Sequence, residues 1–219
     1  MKYRIAYIDE DKGWINTFYQ TFKNDFDVTR IKVDSESSVE SILDKLRESN
    51  LDAIVTDYLL EENDGASFNG NRIVEEIKKI RPHFPIIMLT SHPNQAINHT
   101  DDVHIIYSKD ILSAENKKDQ ENLDILKIKI NSNILNYYKK IDDTNTRIEE
   151  LVKKRNKEGL GISEEEELTK LYILLDEINP EGKDLPANLI DRSSISKLNE
   201  FVSETKQILE ELKKLNHKN

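Results

Sequence analysis

Cysteine is absent from all 219 residues, which excludes disulfides and thiolate metal sites. No apolar stretch is long enough to cross a bilayer. The run MKYRIAYIDED, short, strand-like and soon acidic, lacks the form of a signal peptide. A soluble cytoplasmic protein without a membrane partner is therefore expected. The chain has no internal repeat and no low-complexity tract. Its histidines, His83, His92, His99, His104 and His217, have no metal-ligand spacing. Positive charge is in short supply: 42 acids against 32 basic residues leave a net charge of −10. That balance argues against a general affinity for nucleic-acid backbones or anionic membranes.

What is present is an alternation of two periods. The stretches YRIAYID (3–9), FDVTRIKV (26–33), LDAIVTD (51–57), FPIIMLT (84–90) and VHIIYSK (103–109) are short, apolar and rich in β-branched residues, and predict strands. Between them 13–24, 38–50 and 70–82 have helical spacing, and 94–99 predicts a further short helix. In the third helix Ile73, Val74, Ile77 and Ile80 share a face, and Pro82 stops the run. Trp14, Phe18 and Phe22 share a face of the first helix and are expected in the core.

Near-continuously apolar strands alternating with helices imply a parallel sheet covered on both faces, a doubly wound α/β domain. It ends near residue 110, or near 140 if the next helix packs back onto the sheet; the boundary is drawn at 1–116. From 117 to 219 the period stays helical, an all-α appendage. A long helix over about 119–156 carries Leu123, Leu126, Ile130, Ile134, Ile141, Ile148 and Leu151. A second spans 163–178, opened by a capping box of Ser163 and Glu166. A third, over 194–215, carries Ile195, Leu198, Val202, Leu209, Leu212 and Leu215. These stripes must pack on one another, on the α/β domain or on another chain.

In an open parallel sheet, ligands gather outside the carboxyl ends of the strands. Here those ends carry Asp9, Glu10 and Asp11, then Asp57, then Thr90 and Ser91, then Lys109. A carboxylate at the edge of a core is costly unless it is paired, solvated or metal-bound. Close carboxylates call for a hard cation, and Mg²⁺ takes one or two of them together with waters and phosphate oxygens. A carboxylate can also act as nucleophile and form an aspartyl-phosphate. Lys109, Thr90 and the metal would each take one phosphoryl oxygen.

The segments IAYIDED, AIVTDYLL, PIIMLTS and IIYSKD, in this order and one per strand end, resemble the receiver domain of two-component response regulators over roughly residues 1–110. The resemblance implies a flavodoxin-like five-stranded parallel sheet of order 2-1-3-4-5. It implies Asp57 as phosphoacceptor, Asp9 and Glu10 as the acids that hold Mg²⁺ with Asp57, Thr90 as the switch hydroxyl and Lys109 as the lysine of the site. It also implies a sensor histidine kinase or another phosphodonor as partner, and no enzymatic activity beyond self-catalysed phosphorylation and dephosphorylation. Some positions depart from the family pattern. Glu10 stands where an aspartate is commoner, and Ile106 where many members carry an aromatic residue, with Tyr107 one place later. Asp110 replaces the usual proline after the lysine, so a cis peptide bond is not expected there. The 61–71 loop is long and is expected to overhang the site. Gly65 or Gly70 could be the glycine before the third helix; Gly70 is favoured because RIVEEIKKI follows shortly after it.

The appendage is read by elimination. It has no glycine-rich phosphate loop, no nucleophile with a nearby base and no metal-ligand cluster. His217 is the only histidine after residue 110, so no mid-helix histidine serves a phosphotransfer module. A DNA-binding helix-turn-helix needs a basic recognition helix, whereas EEEELTKLYILLDEI is acidic and the segment from Ser194 onward sets five lysines against four glutamates. The expected output is therefore a protein partner or self-association through the appendage. Alternatives are a docking scaffold independent of phosphorylation and a phosphoryl sink that the tail merely localises.

Overall fold

A computed structural model describes residues 2–62, 65–113 and 116–179; the expected helix over 194–215 lies outside them. Five strands, β1 (Arg4–Asp9), β2 (Asp27–Lys32), β3 (Ala53–Thr56), β4 (Ile86–Thr90) and β5 (Ile106–Ser108), form one sheet of order β2-β1-β3-β4-β5. Every pairing is parallel. This is the expected doubly wound order, and the winding reverses between β1 and β3. Their carboxyl ends therefore flank the crevice where such sheets bind ligands.

Strand alternation divides the apolar residues between two faces. Ile5, Tyr7, Val55, Ile87 and Leu89 meet helix α1 (Lys12–Phe22) and the first half of helix α5 (Lys117–Glu158). Ala6, Ile8, Ile54, Ile86 and Met88 meet α2 (Val39–Glu48), α3 (Gly70–Ile80) and α4 (Pro93–Asn98). Local chemistry explains where the first helices start. Asp11 caps α1 by accepting from the Trp14 N–H at 2.9 Å. Ser38 and Ser41 cap α2 reciprocally, each hydroxyl taking the other residue's backbone N–H at 3.1 Å.

Two expectations are corrected. The strand expected over 103–109 shrinks to β5, between 3₁₀ turns at Val103–Ile105 and Lys109–Leu112. An edge strand has a single partner, β4, and beyond that pairing the backbone closes local turns. The helix expected from a Ser163–Glu166 box starts earlier, as α6 (Ile162–Ile178). Its N-terminus is closed by Glu164, whose side chain accepts from the Gly161 N–H at 3.1 Å. The acceptor two residues upstream wins because Gly161 takes the extended N-cap conformation, which puts Glu164, three residues on, in reach of its N–H.

Helix α5 runs unbroken for 42 residues, about 63 Å at 1.5 Å per residue. Its seam changes partner along the way. Leu123, Leu126, Ile130 and Ile134 are buried on the sheet and α1, whereas Ile141, Ile148 and Leu151 are buried with Leu168, Leu175 and Ile178 of α6. The change from α/β to all-α period at 117 is thus a change of sequence pattern, while packing on the sheet continues to about residue 137. At the handover, the Tyr137 hydroxyl donates to the Ile178 carbonyl at 2.7 Å and accepts from Arg81 Nη2 at 2.7 Å. Tyr138 donates to Asp52 at 2.5 Å.

Because the distal seam of α5 packs on α6, Ile148→Ala should cost about 2–5 kcal/mol, felt first in that helix pair. Hydrogen exchange should show lost protection in α6 and the distal half of α5, with the sheet amides unchanged. Equal loss in the sheet would contradict the two-part seam.

Candidate functional site

The crevice at the β1 and β3 ends gathers Asp9, Glu10, Asp57, Thr90 and Lys109, and all five are buried. Asp9 closes β1, Asp57 follows β3, Thr90 ends β4, and Lys109 opens the 3₁₀ turn after β5. The Lys109 ammonium lies 2.7 Å from Asp57 Oδ2 and 2.8 Å from Asp9 Oδ2. Asp57 Oδ1 accepts from the Tyr58 N–H at 2.7 Å. Asp9 Oδ1 accepts from the Asp11 N–H at 2.8 Å, and its Oδ2 also accepts from the Tyr7 hydroxyl at 2.5 Å.

One carboxylate oxygen each from Asp9, Glu10 and Asp57 lies within 4.8 Å of the others. Three ionised carboxylates beside one ammonium leave two uncompensated negative charges in a buried place. Glu10 Oε2 is buried with no hydrogen-bond partner among the described residues. An all-oxygen donor set with a surplus of two negative charges and an orphaned oxygen fits a hard divalent cation. Asp11 takes no part in this set, because its side chain caps α1.

Burial governs the titration of these groups. It raises Asp57 above the ordinary carboxylate value; Lys109, as cation and hydrogen-bond donor, opposes the rise, as does the Thr90 hydroxyl. Burial lifts Glu10 to about 7, with Asp9 and Asp57 adding repulsion. Burial alone would lower Lys109, but Asp57 and Asp9 outweigh it and hold the ammonium above its ordinary value.

Several neighbours complete the site. A Cβ on Gly70 would stand 1.8 Å from the Asp57 carbonyl oxygen, so only glycine lets α3 begin against the Asp57 backbone. Its N–H donates to the Tyr58 carbonyl at 2.7 Å. The lone tryptophan, Trp14, is half-buried at the edge of the core, with its ring 5.4 Å from Lys109 Nζ. Tyr107 faces the α5 side under Lys129, and Ile106 faces the other. Among the described loop residues, Ala66 N–H donates to the Leu60 carbonyl at 2.8 Å, and Glu62 reaches to 4.0 Å from His92 beyond β4. The Lys109–Asp110 peptide is trans.

Sequence reasoning missed Tyr7 and the placement of Trp14. Tyr7 had a readable signal: it stands two residues before Asp9 on the same strand, and therefore on the same face. Trp14 had none, since only the crossing of α1 over the β5 turn brings it to Lys109. The histidines join no metal cluster among the described residues, and no described helix is long and apolar enough to cross a membrane.

No protein-family model matches the chain, and no curated protein does. Solved structures similar to it include the signal receiver domain of an HD-domain-containing protein from Pseudomonas fluorescens Pf-5, 18% identical, covering 60% of this chain and 89% of that one, TM-score 0.43. A response regulator receiver domain protein from Clostridium thermocellum is 22% identical over 61% of this chain and 95% of its own, TM-score 0.41. A protein described as adenylate cyclase from Rhodopirellula baltica is 23% identical over 70% and 99%, TM-score 0.44.

A carboxyl raised by folding stabilises the fold below its unfolded value and loses that contribution as pH rises through the folded value. In metal-free protein, thermal stability should therefore fall as pH climbs from 4.5 towards about 7, the span over which Glu10 shifts. Mg²⁺ affinity, followed by Trp14 fluorescence, should rise over the same span as the proton leaves. Glu10→Gln should flatten both profiles; unchanged profiles would show that Glu10 is not the group responsible.

Proposed function

We propose that the chain is a two-component response regulator of the cytoplasm. Asp57 accepts a phosphoryl group, with Mg²⁺ present, from a sensor histidine kinase or another phosphodonor, and this switches a helical output formed by 117–219. The observation that carries the reading is the buried Lys109 ammonium, 2.7 Å from Asp57 and 2.8 Å from Asp9, beside three acids whose oxygens lie within 4.8 Å of one another.

In this reading an Asp57 oxygen attacks phosphorus as the bond to the donor's leaving group breaks. The leaving group departs with the electron pair, and a carboxylic–phosphoric anhydride remains. Lys109 is placed to give one phosphoryl oxygen a charge-assisted hydrogen bond, and the Thr90 hydroxyl a second. Asp9, Glu10 and Asp57 would hold Mg²⁺, which when bound supplies positive charge against the phosphoryl oxygens. The Tyr7 hydroxyl and Asp11 N–H orient Asp9. Movement of Thr90 towards the phosphoryl group would shift the β4–β5 face between two states. The turn after Lys109 buries Leu112 in the cluster that holds Leu123 of α5, which supports transmission along that helix to a protein partner or a second copy.

Glu10 favours a second reading. Proton retention to about pH 7 weakens a metal ligand, and a receiver-fold scaffold that docks partners without phosphate would tolerate this.

Intact mass after incubation with acetyl phosphate and Mg²⁺ separates the two. One added phosphoryl group is expected, absent in Asp57→Asn and without metal. No added mass, with the donor proved on another receiver, would overturn acceptance and leave the scaffold. Thr90→Val should still take the label but lose any change in oligomer size or partner affinity that the label produces.

A further inference from the structure

At the pole opposite the acids lies a cavity of about 490 Å³, within the range of ligand pockets. It opens between α2, α3, α5 and the end of α6, and its walls include Leu43, Leu46, Ile77 and Ile141. Three arginines, Arg4, Arg47 and Arg81, also line it. The Arg4 side chain makes no hydrogen bond or ion pair among the described residues. Arg47 is exposed and pairs with Asp44 of its own helix at 2.8 Å. Arg81 stands 4.3 Å from the Phe84 ring, and its Nε is buried without an acceptor among the described residues. The cleft is thus apolar within and cationic around its edge, and among the described residues no oxygen meets Arg81 Nε.

Asn179, which follows the last residue of α6, also lines this cavity. The chain that continues from it reads PEGKDLPANLID. This stretch offers Leu185, Leu189 and Ile190 as apolar groups, and sets Glu181, Asp184 and Asp191 against Lys183. Leu185 is six residues from Asn179, within about 20 Å of chain at full extension. We propose that residues 185–191 of this same chain occupy the cavity, with the apolar side chains in the cleft and the flanking acids on the arginines.

Chemistry and proximity both favour this occupant. Two acids, Asp184 and Asp191, bracket the apolar run where the edge is basic, with Lys183 and Arg192 just outside them, and a cavity of this size holds only a few side chains. A tethered segment also acts at an effective concentration of order millimolar, against which a free ligand or a second copy must compete. Docking there would fasten the end of α6 to the α2–α3 pole of the α/β unit. The inference holds whether or not Asp57 takes phosphate.

The absence of native cysteine makes a disulfide test clean. In the full chain, Leu43→Cys with Leu189→Cys should form an intramolecular disulfide under mild oxidation. Ile162→Cys with Leu189→Cys should not, because Ile162 is 84% exposed at the opposite end of α6. Cross-linking only between chains would assign the cavity to a second copy and overturn the proposal, as would equal cross-linking in both pairs or none in either. Hydrogen exchange on the cysteine-free chain gives an independent readout. Leu189→Asp alters no residue of the described fold, so it should remove protection from amides 185–191 and loosen 43–51. Unchanged exchange would overturn the proposal.

Discussion

One buried ammonium holds the functional end of this molecule together. Lys109 bonds Asp57 and Asp9 at once, and without it three carboxylates would converge in a place that water barely reaches. Removing one member of such a buried set leaves uncompensated charge, a strongly destabilising change. The rest of the arrangement follows from this constraint. Sheet order must make β1 and β3 neighbours so that Asp9 and Asp57 meet. The short β5 must end in a 3₁₀ turn, so that its first residue points inward. Gly70 must lack a side chain, so that α3 can start on the Asp57 backbone. Even with all of this, the cation balances only part of the charge; burial raises Asp57 and Glu10, and the neighbouring carboxylates add to the rise.

A second constraint is length. A helix of 42 residues outruns a small domain, and an apolar seam of that extent cannot be buried on one sheet. The proximal part of α5 covers the sheet, and α6 folds back to cover the distal part. Tyr137 marks the transition: its hydroxyl joins Arg81 of α3 and the last turn of α6 in one hydrogen-bonded chain. One continuous helix therefore runs from the cluster that holds Leu112 and Leu123, next to the strand-end site, to its packing against α6.

Much of the α/β unit was legible because its signals are local. Continuously apolar strands and helices with a 3.6-residue period can each be read within a dozen residues. The acids, hydroxyl and lysine at the strand ends were legible for a related reason: position in a parallel strand already says which end of the sheet a residue occupies. Other features were not legible. Ser163 with Glu166 and Gly161 with Glu164 have the same spacing, and the choice between them depended on where the chain leaving α5 becomes extended before α6. The extent of β5 depended on pairing with β4, a long-range property. Trp14 came to Lys109 through helix crossing, which no spacing rule describes.

By itself the sequence determined the strand–helix alternation, the set of chemical groups at the strand ends and the helical character of residues 117–178. Those properties follow from side-chain type and period, which act over short range. Only the tertiary structure decided that Lys109 serves two carboxylates, that Glu10 has an oxygen without a partner among the described residues and that Tyr7 bonds Asp9. It also decided that α5 belongs to two packing environments. Each of these depends on desolvation and on distances between residues far apart in the chain, quantities that exist only once the sheet has closed and water has been displaced.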